Sequence, residues 1–301
     1  MNNILQQMLL LFILMAVGYI ANRTNIMDEE SNKKISKLVI NITSPAIVID
    51  SVIGNKIENK LEVIVVFLLA ILPFILFPLL SKLMVKIIKV PEKTKGALEI
   101  MLVFPNMGFM GIPVIGGIYG SDAIFYVSIF MLVFNVAFFS YGIATLSKHD
   151  GDKFNPKNLI NPGVISAILA VFIFVFEIPF PALLSRSIGM IGDVTTPLAM
   201  LVIGSTIANV PMKEVFLEKK IYLITFLRLI AYPVIIWLLL KNFIANDTLL
   251  GVAVLLSGMP IAANVVMACN EYGGDSGFVS KGIFLTSLLS TVTIPLLSIL
   301  I

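Results

Sequence analysis

Phe104-Pro105-Asn106-Met107-Gly108-Phe109-Met110-Gly111-Ile112-Pro113 sits in the middle of an apolar run from Gly96 to Gly117. Prolines, glycines and an asparagine in that position break the hydrogen-bonding ladder of a helix. Lipid cannot satisfy the freed N–H and C=O groups, so the stretch is expected to be buried in protein or to line a cavity. A second apolar run, Thr248–Asn270, carries its own interruption: Ser257-Gly258-Met259-Pro260-Ile261-Ala262-Ala263-Asn264. Two interrupted apolar helices are the feature around which the chain is organised.

The rest of the sequence supplies the membrane. Of 301 residues, 58% are hydrophobic and 13% charged, with mean hydropathy +1.01. Soluble domains carry about 45–50% apolar and about 25% charged residues. A span of hydrocarbon takes about 20 mostly apolar residues. Such windows fall at Ile4–Ala21, Ile35–Ile53, Leu61–Ser81, Gly96–Gly117 and Asp122–Leu146, then at Ile160–Phe176, Ser187–Ala208, Ile221–Asn242, Thr248–Asn270 and Phe278–Ile301. The runs are too long for barrel strands and lack period-2 alternation, so an all-α membrane protein of ten transmembrane helices is expected. Met1–Ala21 is read as a retained helix and not a signal peptide, because no Lys or Arg precedes Ile4. The net charge of +3 carries no nucleic-acid signal, since the lysines lie in loops. One cysteine, Cys269, and one histidine, His149, exclude an internal disulfide and leave no Cys/His metal site.

Loop charge orients the spans. With the N-terminus outside, the cytoplasmic loops and flanks hold Arg23, Lys33, Lys34, Lys37, Lys82, Lys86, Lys89, Lys93, Lys95, Lys148, Lys153, Lys157, Lys213, Lys219, Lys220 and Lys281, against Lys56, Lys60, Arg186 and Lys241 outside. That is 16 against 4. The bias predicts a multi-pass protein of the cell (plasma) membrane with both termini extracytoplasmic.

Three matches relate the halves. Asn41-Ile42-Thr43-Ser44-Pro45 resembles Asp193-Val194-Thr195-Thr196-Pro197, and Tyr119-Gly120-Ser121-Asp122 resembles Tyr272-Gly273-Gly274-Asp275. Pro73 and Pro233 stand in the middle of the third and eighth windows. The expected organisation is two inverted five-helix repeats, residues 1–146 and 160–301, joined by a cytoplasmic linker at 147–159. Five spans per repeat put the second copy in the membrane upside down, a recurrent design of secondary transporters.

In that arrangement the fourth and ninth helices run antiparallel. If they cross at their breaks, half-helix N-termini converge near the midplane and suit a carboxylate. The candidate substrate-binding residues are Asn106, Gly108, Gly111, Pro113, Pro260 and Asn264. Kinked packing helices are the plain alternative. Ser44, Asn135, Asp193, Thr195, Thr196 and Arg228 are further candidates for a polar cleft or a coupling role. Arg228 is the one basic residue well inside a span, readable as counter-charge or as a snorkelling side chain. Asp193 is readable as a proton site or a local cap, Asn135 as interhelical glue, and Asp122 and Asp275 as N-caps of the fifth and tenth helices.

The run Asn106-x-Gly108-x-x-Gly111-x-Pro113, together with Met259-Pro260, Asn264, Ala268, Tyr272, Asp275 and the ten-span length, resembles the auxin efflux carrier family, in particular its bacterial members. The resemblance covers essentially the whole chain. It implies a five-plus-five inverted fold like that of the sodium/bile-acid symporters, with crossed fourth and ninth helices holding an organic anion. The long cytoplasmic loop of many plant members is absent, since Ser147–Leu159 is short. A dicarboxylate such as malate or malonate therefore fits better than auxin.

The functional expectation is a secondary transporter moving a small organic anion by alternating access, without cofactor. Its partners are the anion and the bilayer, with a homodimer left open. The alternative is a symporter or antiporter coupled to Na⁺, held by carbonyls freed at the breaks, or to H⁺. A membrane-embedded enzyme or a sensor fits less well, because the spans hold no paired acids, His cluster or Ser/Lys dyad.

Overall fold

The computed structural model describes residues 2–50, 52–54, 60–120, 123–149, 162–209 and 212–300. Every regular element among them is helical. The first half runs α1 (Asn2–Arg23), α2 (Glu29–Leu38), α3 (Ser44–Asp50), α4 (Lys60–Ile87), α5 (Glu92–Val103), α6 (Ile112–Tyr119), α7 (Ala123–Ala137) and α8 (Ile143–His149). The second runs α9 (Pro162–Val175), α10 (Ala182–Asp193), α11 (Thr195–Ala208), α12 (Met212–Leu217), α13 (Lys219–Phe226), α14 (Tyr232–Leu240), α15 (Asp247–Ser257), α16 (Asn264–Tyr272) and α17 (Ser276–Leu300). Among the described residues, five continuous helical stretches are long and apolar enough to cross a membrane: Glu62–Ile87, Ala123–Ser147, Ala182–Ala208, Lys219–Leu240 and Ser276–Ile299. The segment joining the halves lies almost wholly outside the described residues.

The helices reach beyond the apolar windows. The second begins at Glu29 and not Ile35, because Asp28 caps it by accepting from the Ser31 N–H (2.7 Å) and hydroxyl (2.6 Å). In the seventh window the helix, α10, begins at Ala182 and not Ser187. Hydropathy marks the thickness of hydrocarbon, whereas helical hydrogen bonding continues into the polar interface.

Wide π-helical turns join several of these helices, and proline explains three of them. The turns Val39–Thr43, Met107–Gly111 and Leu227–Ala231 each end two residues before a proline: Pro45, Pro113 and Pro233. A proline donates no hydrogen bond to the carbonyl four residues back, so the preceding turn loosens.

The lipid-facing surface is legible on α4. Ile64, Leu68, Ile71, Ile75 and Leu79 are exposed at helical spacing, while Val66, Ala70, Phe77 and Ser81 on the opposite face are fully buried. Exposed apolar stripes of this size need hydrocarbon around them. Inside, α1 packs along α11 and α3 along α9; α5 lies on α4 as α15 lies on α14; α4 packs on α7 as α13 packs on α17. The α1–α11 contact is backbone-close. A Cβ on Gly18 would lie 2.1 Å from the Leu201 carbonyl oxygen, and one on Gly204 1.9 Å from that of Met15. Small residues at such a crossing let dispersion forces act between whole helices.

Candidate functional site

Both predicted breaks exist, and they meet. Helix α5 stops at Val103 and α15 at Ser257; Pro105 and Ile261 then pair as an antiparallel bridge. The Asn106 N–H donates to the Pro260 carbonyl (2.7 Å), and the Ala262 N–H to that of Phe104 (3.0 Å). Other freed groups are answered by side chains. Thr286 of α17 accepts from the Ile261 N–H (3.3 Å) while donating to Gly282 (2.7 Å). Arg228, wholly buried, donates to the carbonyls of Leu102 (3.0 Å), Ser257 (3.0 Å) and Met259 (3.5 Å). Irregular backbone at membrane depth is thus paired within the protein, as hydrocarbon requires.

On the other side of the crossing the helices begin again. A cavity of about 30 Å³ lies there, its walls including Asn106, Gly108, Asn135 and Asn264 beside Ile47, Met131 and Phe134. One wall is the start of the Met107–Gly111 turn leading into α6, and the other is the start of α16. Two helix N-termini therefore open on one space, each with a partial positive charge. Asn135 is 4% exposed, yet its amide nitrogen has no hydrogen-bond partner, and neither has the amide oxygen of Asn264. Buried polar groups are normally paired, so two orphaned amides on one cavity mark a place built for a polar guest.

The structure sorts the other candidates. The Pro260 carbonyl is spent on the crossing, and Gly111 lies against Leu256, where a Cβ would come within 2.7 Å of a methyl carbon. Pro113 opens α6, and its side chain lies outside the described residues. Ser44 and Thr195 are buried with unpartnered hydroxyls on α3 and α11, and Thr196 is half-buried; none of the three lines the cavity. Asp193 is exposed, and the cap of α11 is Val194 with no side-chain bond, so Asp193 is neither a cap nor part of the cavity. Arg228 neither snorkels nor faces the cavity; backbone carbonyls hold it. Asp275 does cap α17, accepting from the Phe278 N–H (2.9 Å), whereas Asp122 lies outside the described residues. One buried acid escaped the sequence analysis: Glu99 on α5, 5% exposed, which accepts from the Tyr141 hydroxyl. An acid inside the Gly96–Gly117 window was the signal that could have found it.

A larger polar cavity of about 600 Å³ opens between α2 and α11 on one side and α16 and the start of α17 on the other, with Asn32, Lys33, Thr206, Asn209 and Asn270 on its walls. Between it and the crossing, the Ser36 hydroxyl accepts from Asn270 (3.0 Å) and touches the Met267 sulfur (3.4 Å).

Comparison with known proteins identifies the family. The chain is 22% identical over 302 residues to an uncharacterized transporter of Methanothermobacter thermautotrophicus, covering 98% of each chain. It is 26% identical to an uncharacterized transporter of Methanocaldococcus jannaschii, covering 96% of each. It is 28% identical over 203 residues to a protein of Rhizobium meliloti described as a putative malonate transporter, covering 64% of this chain and 62% of that one. A family model described as membrane transport protein, the auxin efflux carrier type, matches residues 3–298. Matched over nearly its whole length, this multi-pass membrane protein belongs to that family of transporters.

Proposed function

We propose that the protein is a secondary carrier of a small organic anion, a mono- or dicarboxylate of the malonate or malate kind, which binds at the helix crossing. The observation that carries this is the cavity where two helix N-termini meet three asparagines, two of them with orphaned amide atoms. The unpartnered Asn135 amide N–H beside two positive helix ends suits a carboxylate without a side-chain cation, and the unpartnered Asn264 amide oxygen suits a hydroxyl or protonated carboxyl of the same guest. The Rhizobium relative described as a putative malonate transporter supports the dicarboxylate class over an auxin-like acid.

The mechanism is alternating access between two inverted repeats, residues 1–146 and 160–301. Ten spans follow if the interrupted and π-turned helices are each counted as one crossing. The paired packing of α1 on α11 with α9 on α3, and of α5 on α4 with α15 on α14, supports a pseudo-two-fold relation. The crossing cavity, about 30 Å³, has room for about one water, so a dicarboxylate enters only after its walls part. By the loop-charge bias the 600 Å³ cavity faces the cytoplasm and is the inner vestibule, with Ser36, Met267 and Asn270 as the constriction below the site.

Thermal unfolding of the purified protein against a panel of small carboxylates, with and without Na⁺ and at two pH values, tests the proposal. A ligand that binds only the folded state raises the melting temperature by mass action. Stabilisation by malonate or a close analogue is expected. Stabilisation by Na⁺ alone would replace the anion with a cation as the primary ligand.

A further inference from the structure

We infer that Arg228 is a built-in cation of the crossing, occupying the backbone carbonyls that a coupling metal ion would otherwise bind, so that the anion binds without Na⁺. The inference rests on the organic-anion proposal and specifies how its site is charged. Arg228 is 0% exposed and, among the described residues, forms no ion pair with a carboxylate. A guanidinium stays protonated in proteins, so its charge needs another counterpart. That counterpart is backbone. Leu102 lies in the last turn of α5, Ser257 ends α15, and Met259 follows it. A helix C-terminus carries about half a negative charge, so the two ends together offset roughly one positive charge. The rings of Phe77 and Tyr232, 5.5 and 5.7 Å from the guanidinium carbon, complete the enclosure.

The consequence lies across the crossing. Four helix ends meet there, two negative and two positive. With the negative pair neutralised by Arg228, the positive pair facing Asn106, Asn135 and Asn264 is left uncompensated, and the cavity favours an anion. The three carbonyl oxygens on Arg228 are the hard-oxygen ligands that a metal cation would need. The π-turn set by Pro233 places Arg228 where it reaches both helix ends, and its forked donors span the two, which a lysine's point charge does less well.

The test compares wild type, Arg228→Ala and Arg228→Lys, with malonate as probe, in sodium chloride and in choline chloride. Wild type is expected to bind malonate equally in both salts. Arg228→Ala is expected to bind it about tenfold or more weakly in choline, the scale of one charge–helix-end interaction, with Na⁺ or millimolar methylguanidinium restoring affinity. Should the alanine variant fail to fold, Arg228→Lys keeps the charge and is expected to remain indifferent to Na⁺. Wild-type malonate binding that requires Na⁺ would overturn the inference while leaving the anion proposal standing. Alanine-variant binding equal to wild type in choline, or a loss that no cation restores, would overturn it too. If no carboxylate stabilises wild type but Arg228→Ala gains Na⁺-specific stabilisation, the built-in cation stands and the anion proposal falls.

Discussion

Replacing Asn135 with leucine should make the protein more stable and a worse binder. Asn135 stands on α7 among Met131, Phe134 and Phe138, 4% exposed, with its amide nitrogen unpartnered. An orphaned buried amide costs about 1–3 kcal/mol, and an apolar side chain of similar shape removes that penalty. Part of the gain is lost to repacking against Phe134, so a net stabilisation of about 1 kcal/mol is expected. Binding moves the other way. A hydrogen bond to a charged ligand contributes about 1.5–3 kcal/mol, so carboxylate affinity should fall roughly 10- to 150-fold. The assay is internal to the chain: Cys269 is the only cysteine and is buried, so a fluorogenic maleimide reports unfolding as the thiol emerges. Melting curves with increasing malonate then give stability and affinity together. A variant that melts lower and binds as before would show that the amide holds helices together, and the cavity would lose its strongest claim to being a ligand site.

Further consequences follow from other parts of the fold. Gly204→Val places a side chain where a Cβ already lies 1.9 Å from the Met15 carbonyl, so it should cost about 3 kcal/mol or more and broaden or abolish the monodisperse gel-filtration peak. A normal peak and melting temperature would show that α1 and α11 do not depend on close contact. Asp28 has its carboxyl held below the ordinary value of 3.8 by hydrogen bonds from the Ser31 hydroxyl and N–H. Its folded-state pKa is depressed, so its stabilisation of α2 is present above about that value and is lost as pH falls through the lower folded one. Hydrogen exchange at the first turn of α2 should therefore quicken in Asp28→Ala at neutral pH; unchanged exchange would remove the cap from the account. For topology, in a Cys269→Ser background, Lys241→Cys should react with an impermeant maleimide on intact cells, while Lys89→Cys and Lys220→Cys should not. The reverse pattern would invert the protein in the membrane.

Much of the crossing was legible before any coordinates. Proline, glycine and asparagine in the middle of two apolar runs have few explanations in a membrane, and both breaks lie where they were expected. The partners of the freed backbone groups were not legible. Arg228 stood out as an interior cation, but nothing in its neighbourhood along the chain shows that Leu102 and Ser257 carbonyls receive it, because those contacts span 126 and 29 residues. Asn135 was visible only as a polar residue among aromatics; its orphaned nitrogen is a property of packing. Asp193 misled because the pattern Asp-x-Thr-Thr-Pro suits a cap, whereas the chain turns at Val194 without using the carboxylate. Glu99 stood in the Gly96–Gly117 window as a lone acid, and nothing along the chain pairs it with Tyr141, 42 residues on.

The central claim is that a carboxylate is carried through the crossing of the two broken helices, and exchange across proteoliposomes tests it most directly. Vesicles loaded with unlabelled malonate should take up labelled malonate down no net gradient. Asn106→Ala and Asn264→Ala should abolish that exchange while melting and eluting as folded protein. Exchange that persists at the wild-type rate in both variants would place the substrate path elsewhere and contradict the account.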